Sequence, residues 1–157
     1  MHGCFNGIGL WFVEGVAGIR VHASESPPLT IKAGVGAGDI TWASGHRQAL
    51  HGTASSAWQL SDTQFRQQIT IPPSGVAKVL IPSKSGAAGI TEGGKPVSSA
   101  VGVKVLGAEV VFNKISYVVL EVVAGTFSFT SDWSRSARGS RFKGILSKGT
   151  PNTRGDI

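Results

Sequence analysis

Between Gly52 and Ile71 the side chains alternate in character with a period of two. In "GTASSAWQLSD", Ala54, Ser56, Trp58 and Leu60 share one face; in "TQFRQQITIP", Phe65, Gln67, Ile69 and Ile71 alternate with Arg66, Gln68 and Thr70. That period belongs to a strand with one dry and one wet face, and no helix keeps the two sets apart. The "SDT" between the runs carries hairpin-turn chemistry. A pair of strands that is apolar on one face needs a second layer to cover it.

The remaining segments supply candidates for that layer. "LTIKAG", "DITWASGHRQ", "VAKVLIP", "ITEGGKPV" and "VGVKVLGAEVVFN" read as short strands, and "PPSG" as a turn. "ISYVVLEVVAGTFSFTSDW" reads as two strands joined by a turn at "AGT". The chain holds 22 glycines in 157 residues, which suits turns and bulges and disfavours long helices. The expected fold is mainly β, an antiparallel, jelly-roll-like β-sandwich.

One segment departs from this pattern. Phe5, Ile8, Phe12, Val16 and Ile19 recur at spacings of three and four, predicting one N-terminal α-helix from Phe5 to Val16. Gly7 and Gly9 weaken it in isolation, so it depends on tertiary packing. "HASESPPL" follows as a linker in which Pro27 and Pro28 forbid helix. The expected organisation is a helix and linker over 1–26, a sandwich over 27–133 and a basic, disordered tail over 134–157.

The net charge of +6 is concentrated at the end of the chain, where six basic residues from Arg135 to Arg154 outweigh Asp156. The rest is nearly neutral, which argues against a folded basic face and against a specific nucleic-acid partner. Cys4 is the one cysteine of the sequence, so neither an intrachain disulfide nor a cysteine-based metal site is expected. The first apolar run is too short and, with Glu14 inside it, too broken for a membrane span, and no positive charge precedes it as in a signal peptide. No membrane partner is expected, and localisation stays open.

Acid–base chemistry on sugars needs paired carboxylates. Glu92, Glu109, Glu121 and Asp132 are the candidates, with Glu121 inside an apolar run where desolvation raises a carboxyl pKa. The more ordinary reading of Glu121 is a sheet-edge residue or a partner of lysine. His2, His22, His46 and His51 show no metal-ligand spacing, so neither a metal nor a cofactor is expected. "ASGHRQ" and "LHGTASS" place serines near histidines without a G-x-S-x-G elbow. "GIGLWF" matches half of a dinucleotide fingerprint in the wrong context, and "RGD" (Arg154 to Asp156) is a tripeptide of chance frequency. Trp42, Trp58 and Trp133 are candidates for a sugar-stacking platform, although the alternation places Trp58 in the core.

Two stretches together resemble bacterial-type α-L-rhamnosidases. In "HGCFNGIGLWFVEGVAGI", His2, Phe5, Gly9, Trp11, Ala17, Gly18 and Ile19 fall at positions of a segment near the end of that family's (α/α)6 catalytic barrel, with Asn6 replacing the usual Gly. The run from "ITWASGHRQALHGTASSAW" through "ITIPPSGVAKVLIPS" and "ITEGG" is similar to the family's C-terminal β-sandwich. "LEVVAGTFSF" is similar to its closing hairpin, with Val123 and Ala124 in place of Gly-Ser. The resemblance implies that His2 matches a substrate-binding histidine of the barrel. It also implies inverting hydrolysis of terminal α-L-rhamnose by two glutamates upstream of that histidine, so no catalytic residue is assigned here. The chain is then the C-terminal part of such an enzyme, inactive alone, its helix left over from the barrel. Rhamnosides or rhamnose-containing glycans would be the partners of the complete enzyme, and the helix would pack against the barrel. The alternative is a non-catalytic carbohydrate-binding or bracing module. A third reading is a tail that binds acidic partners.

Overall fold

The computed structural model describes residues 9–36, 38–112 and 114–134. A helical segment, Trp11–Ala17, leads into nine strands. These are β1 (Ile19–Val21), β2 (Leu29–Lys32), β3 (Trp42–Ala49), β4 (Gly52–Leu60), β5 (Phe65–Pro82), β6 (Ile90–Glu92), β7 (Lys95–Pro96), β8 (Val103–Phe112) and β9 (Ile115–Ser131). The chain is mainly β, as the alternation predicts.

β5 and β9 organise everything else. They run antiparallel for almost their whole lengths, from the Phe65–Ser131 pair to the Pro82–Tyr117 pair. Their register breaks once, between Ile71 and Val76, where Pro72 to Gly75 face a much shorter stretch of β9. At this corner the hydrogen-bonded sheet turns into a second layer, as strands that change layers do at bulges. The first halves of β5 and the last of β9 lie with β4, β3, β6 and β7, whereas their other halves lie with β2, β1 and β8.

"PPSG" is therefore a bulge inside one strand, not a turn between two, with Ser74 at φ 59°. "AGT" likewise lies within β9, so "LEVVAGTFSF" is no hairpin. Turn-forming residues mark a break in ladder pairing but do not fix whether the chain reverses or crosses to another layer. One pair also departs from the antiparallel expectation: β2 runs parallel to the second half of β5, Leu29 opposite Ala77. The β3–β4 hairpin and the first half of β5 intervene, giving the long crossover that a parallel pair requires.

The core lies between the layers. Ala54, Trp58, Leu60, Phe65, Ile69 and Ile71 enter it from the alternating strands, and Ile31, Val79, Ile81, Leu120 and Phe129 meet them from the other elements. The Ser61 hydroxyl accepts from the Gln64 N–H at 3.1 Å and closes the expected turn. Ser56 and Gln67 are also buried, and the Gln67 amide donates to the Ser56 hydroxyl at 3.0 Å.

Candidate functional site

The helical segment differs from the expected α-helix. Trp11–Ala17 is wound as a π-helix and ends at Gly18, φ 81°. Its hydrogen bonds span five residues rather than four, so the expected face shifts. Val16 and Ala17 are buried, while Leu10, Trp11 and Phe12 are half or more exposed, at 50%, 52% and 55%. Trp11 and Phe12 meet edge to face, their ring centroids 5.1 Å apart. Residues 1–8, and with them Phe5, Ile8 and the sequence-assigned His2, lie outside the described residues.

The inner side of this segment is fastened to the sandwich. The Trp58 indole N–H donates to the Val16 carbonyl at 2.8 Å, and the Gly34 N–H reaches the same oxygen at 3.1 Å. The Lys32 N–H donates to the Gly18 carbonyl at 2.8 Å. A Cβ at Gly18 would sit 1.8 Å from the Lys32 carbonyl oxygen, and one at Gly34 would sit 2.3 Å from that of Gly15. Both close approaches require glycine. Arg47 of β3 pairs with Glu14 across the seam. The next stretch, "HASESPPL", joins β1 to β2, with the His22 N–H donating to the Pro28 carbonyl at 2.8 Å.

The structure separates the tryptophans. Trp58 is buried, Trp133 packs partly against the core, and Trp42 is 68% exposed on the edge strand β3. No three-indole platform forms. The β3–β4 register explains this: Trp42 opposes Gln59, so it shares the outer face with odd-numbered residues of β4, whereas Trp58 points inward.

The carboxylates have structural surroundings. Glu121 lies between Lys78 of β5 and Lys104 of β8 in the cross-strand register. The Glu92 carboxylate accepts from the Ser128 N–H at 3.4 Å, and Glu109 falls on β8. Asp132 accepts from the Ser83 hydroxyl at 2.7 Å and the Lys84 N–H at 2.9 Å. Burial pulls the Asp132 pKa upward, but hydrogen bonds from Ser85, Lys84 and Ser83 outweigh it and hold the carboxyl below its ordinary value. Burial pushes the Tyr117 phenol up to about 12, and the Lys32 ammonium lies 4.8 Å from that ring's centroid. His22, His46 and His51 are exposed on separate elements. Among the described residues no group of three His, Cys, Asp or Glu is placed to hold a metal ion, and no helix is long and apolar enough to cross a membrane.

Residues 29–95 match the model of the bacterial alpha-L-rhamnosidase C-terminal domain. The fold is similar to part of the alpha-L-rhamnosidase from Dictyoglumus thermophilum, with a TM-score of 0.62 and 22% identity, over 82% of this chain and 14% of that one. It is also similar to part of the Streptomyces avermitilis alpha-L-rhamnosidase complexed with L-rhamnose, with a TM-score of 0.62 and 23% identity, over 80% of this chain and 11% of that one. The chain thus spans a small fraction of either structure. No curated protein matches it by sequence.

Proposed function

We propose, from the match of residues 29–95 to the bacterial alpha-L-rhamnosidase C-terminal domain model, that the chain is the bracing module of an α-L-rhamnosidase-like glycoside hydrolase. In the complete enzyme, a helical barrel carries out inverting hydrolysis of terminal α-L-rhamnose. The sandwich supports that barrel and supplies neither general acid nor general base.

The exposed Leu10, Trp11 and Phe12 carry this reading. They project from a segment whose opposite side is tied to the sandwich through Val16, Gly18 and Glu14. An apolar cluster on a rigidly held edge is the form of a surface that another body covers. The occupant proposed is the helical barrel, whose substrate-binding histidine His2 matches in sequence. Two acidic groups serve structure: Glu14 pairs with Arg47, and Asp132 accepts from the Ser83 hydroxyl and the Lys84 N–H.

An aryl α-L-rhamnoside assay on the purified chain tests the catalytic half of the proposal. No turnover is expected, and turnover that copurifies with the chain would sink it. For the bracing half, Leu10, Trp11 and Phe12 are replaced by Ser in the complete enzyme. The barrel's melting temperature and activity should fall together while the isolated sandwich melts as before. An unchanged barrel would remove the bracing role.

A further inference from the structure

The outer face of the β3–β4–β5–β9 layer carries a groove that bracing at the helical edge leaves unused. Cross-strand register aligns Trp42, Gln59, Arg66 and Thr130 in one row. Ser44, Ala57, Gln68 and Ser128 form the next. Apart from Gln68, the second row is made of small side chains, so the face is recessed there. The hollow has a volume of ≈ 570 Å³. A second hollow of ≈ 390 Å³ shares Ser44, Ala57 and Gln68 with it and continues toward His46, Ser55 and Thr70. The depression is therefore elongated and suits a chain rather than a single small molecule.

Its chemistry narrows the occupant. Trp42 stands 68% exposed at one rim. Beside the indole and the small Ala43 and Ala57, the walls offer the amides of Gln59 and Gln68 and the hydroxyls of Ser44 and Ser128. Arg66 is the charged residue lining the larger hollow, and no acidic residue lines it. With the Gln64 amide turned to present its oxygen, that oxygen accepts from Arg66 Nε at 3.0 Å and Nη2 at 2.7 Å. This orients the guanidinium and leaves its outer edge, Nη1 and the second hydrogen of Nη2, for a ligand.

We infer that this groove binds an extended oligosaccharide bearing a uronic acid, with Trp42 stacking on a sugar ring and Arg66 taking the carboxylate. Indole faces pack against the C–H faces of sugar rings, amides and hydroxyls pair with ring hydroxyls, and guanidinium binds carboxylate in a fork. The inference stands on the groove alone and does not depend on the bracing role.

Calorimetric titration of the full chain with tetragalacturonate and, separately, cellotetraose tests it. Tetragalacturonate should saturate with a Kd on the order of 0.1–1 mM, and cellotetraose should bind at least about tenfold more weakly. Trp42→Ala should weaken tetragalacturonate about tenfold or more, and Arg66→Gln should abolish the preference for the acidic sugar. Both side chains lie on the outer face, and unchanged melting temperatures establish that the variants fold. The inference is overturned by any of four results: no saturation with tetragalacturonate, equal affinity for the neutral sugar, binding insensitive to Trp42→Ala, or equal competition by an oligoglutamate peptide.

Discussion

The β4–β5 hairpin and the helical edge both carry strong apolar periodicity, yet they satisfy it differently. The hairpin buries its whole inner row, from Ala54 and Trp58 through Phe65 to Ile71. The helical edge buries Val16 and Ala17 but leaves Leu10, Trp11 and Phe12 in solvent. The difference teaches that periodicity announces the need for a partner and says nothing of where the partner is. The hairpin finds its partner in this chain. The helical edge is half satisfied, and its unburied half is what suggests an interface.

The sharpest way to break the comparison is Trp58→Ala, because Trp58 belongs to both regions. It removes a core side chain and leaves the Val16 carbonyl with one partner fewer. A loss of about 3–5 kcal/mol is expected in urea unfolding. Gly18→Ala comes next, forcing a side chain into positive φ and onto the Lys32 carbonyl. It should cost about 3 kcal/mol in the same measurement. A loss below about 1 kcal/mol for either variant would mean that the edge is not fastened as described.

Asp132→Asn should destabilise by about 1 kcal/mol near neutral pH. Its native pKa is depressed, so the stabilisation is full above the unfolded value near 3.8 and disappears as pH falls through the lower native value. The variant should therefore lose the wild type's acid-limb dependence below about pH 4, read from melting temperature against pH. Glu14→Gln should cost less than about 1 kcal/mol and more at low salt, since the pair with Arg47 is partly exposed. The smallest effect belongs to the triple Ser replacement at Leu10, Trp11 and Phe12, which should shift the isolated chain by less than about 0.5 kcal/mol while lowering its binding of an apolar dye. A large destabilisation there would show that the exposed cluster serves this chain's own core.

Alternation made the hairpin legible because a two-residue period maps directly onto two faces of a sheet. Trp58 could be placed in the core on that ground alone. The corner was not legible, since Pro72, Pro73 and Gly75 signal a break in pairing whether the chain reverses or bends onward. Nor was the β2–β5 parallel pair, which depends on residues far apart in sequence. The π winding escaped for a related reason, because an amphipathic stripe spaced three and four fits an α-helix until tertiary contacts choose otherwise. The groove was half visible. Trp42 stood out as an aromatic, but counting across the Leu50–His51 hairpin tip would have placed it opposite Gln59 and beside Arg66, away from Trp58.

The long shared strands have a consequence for how the molecule comes apart. β5 and β9 each contribute backbone to both layers, so neither layer can open while the other keeps its full ladder. Such strands tie the layers into one cooperative unit, in which the amides slowest to exchange with solvent sit on the shared elements. The most protected amides should therefore form a continuous band through the corner along β5 and β9, while β1, β3 and β7 at the margins exchange first. A chain built this way behaves as a single stiff unit.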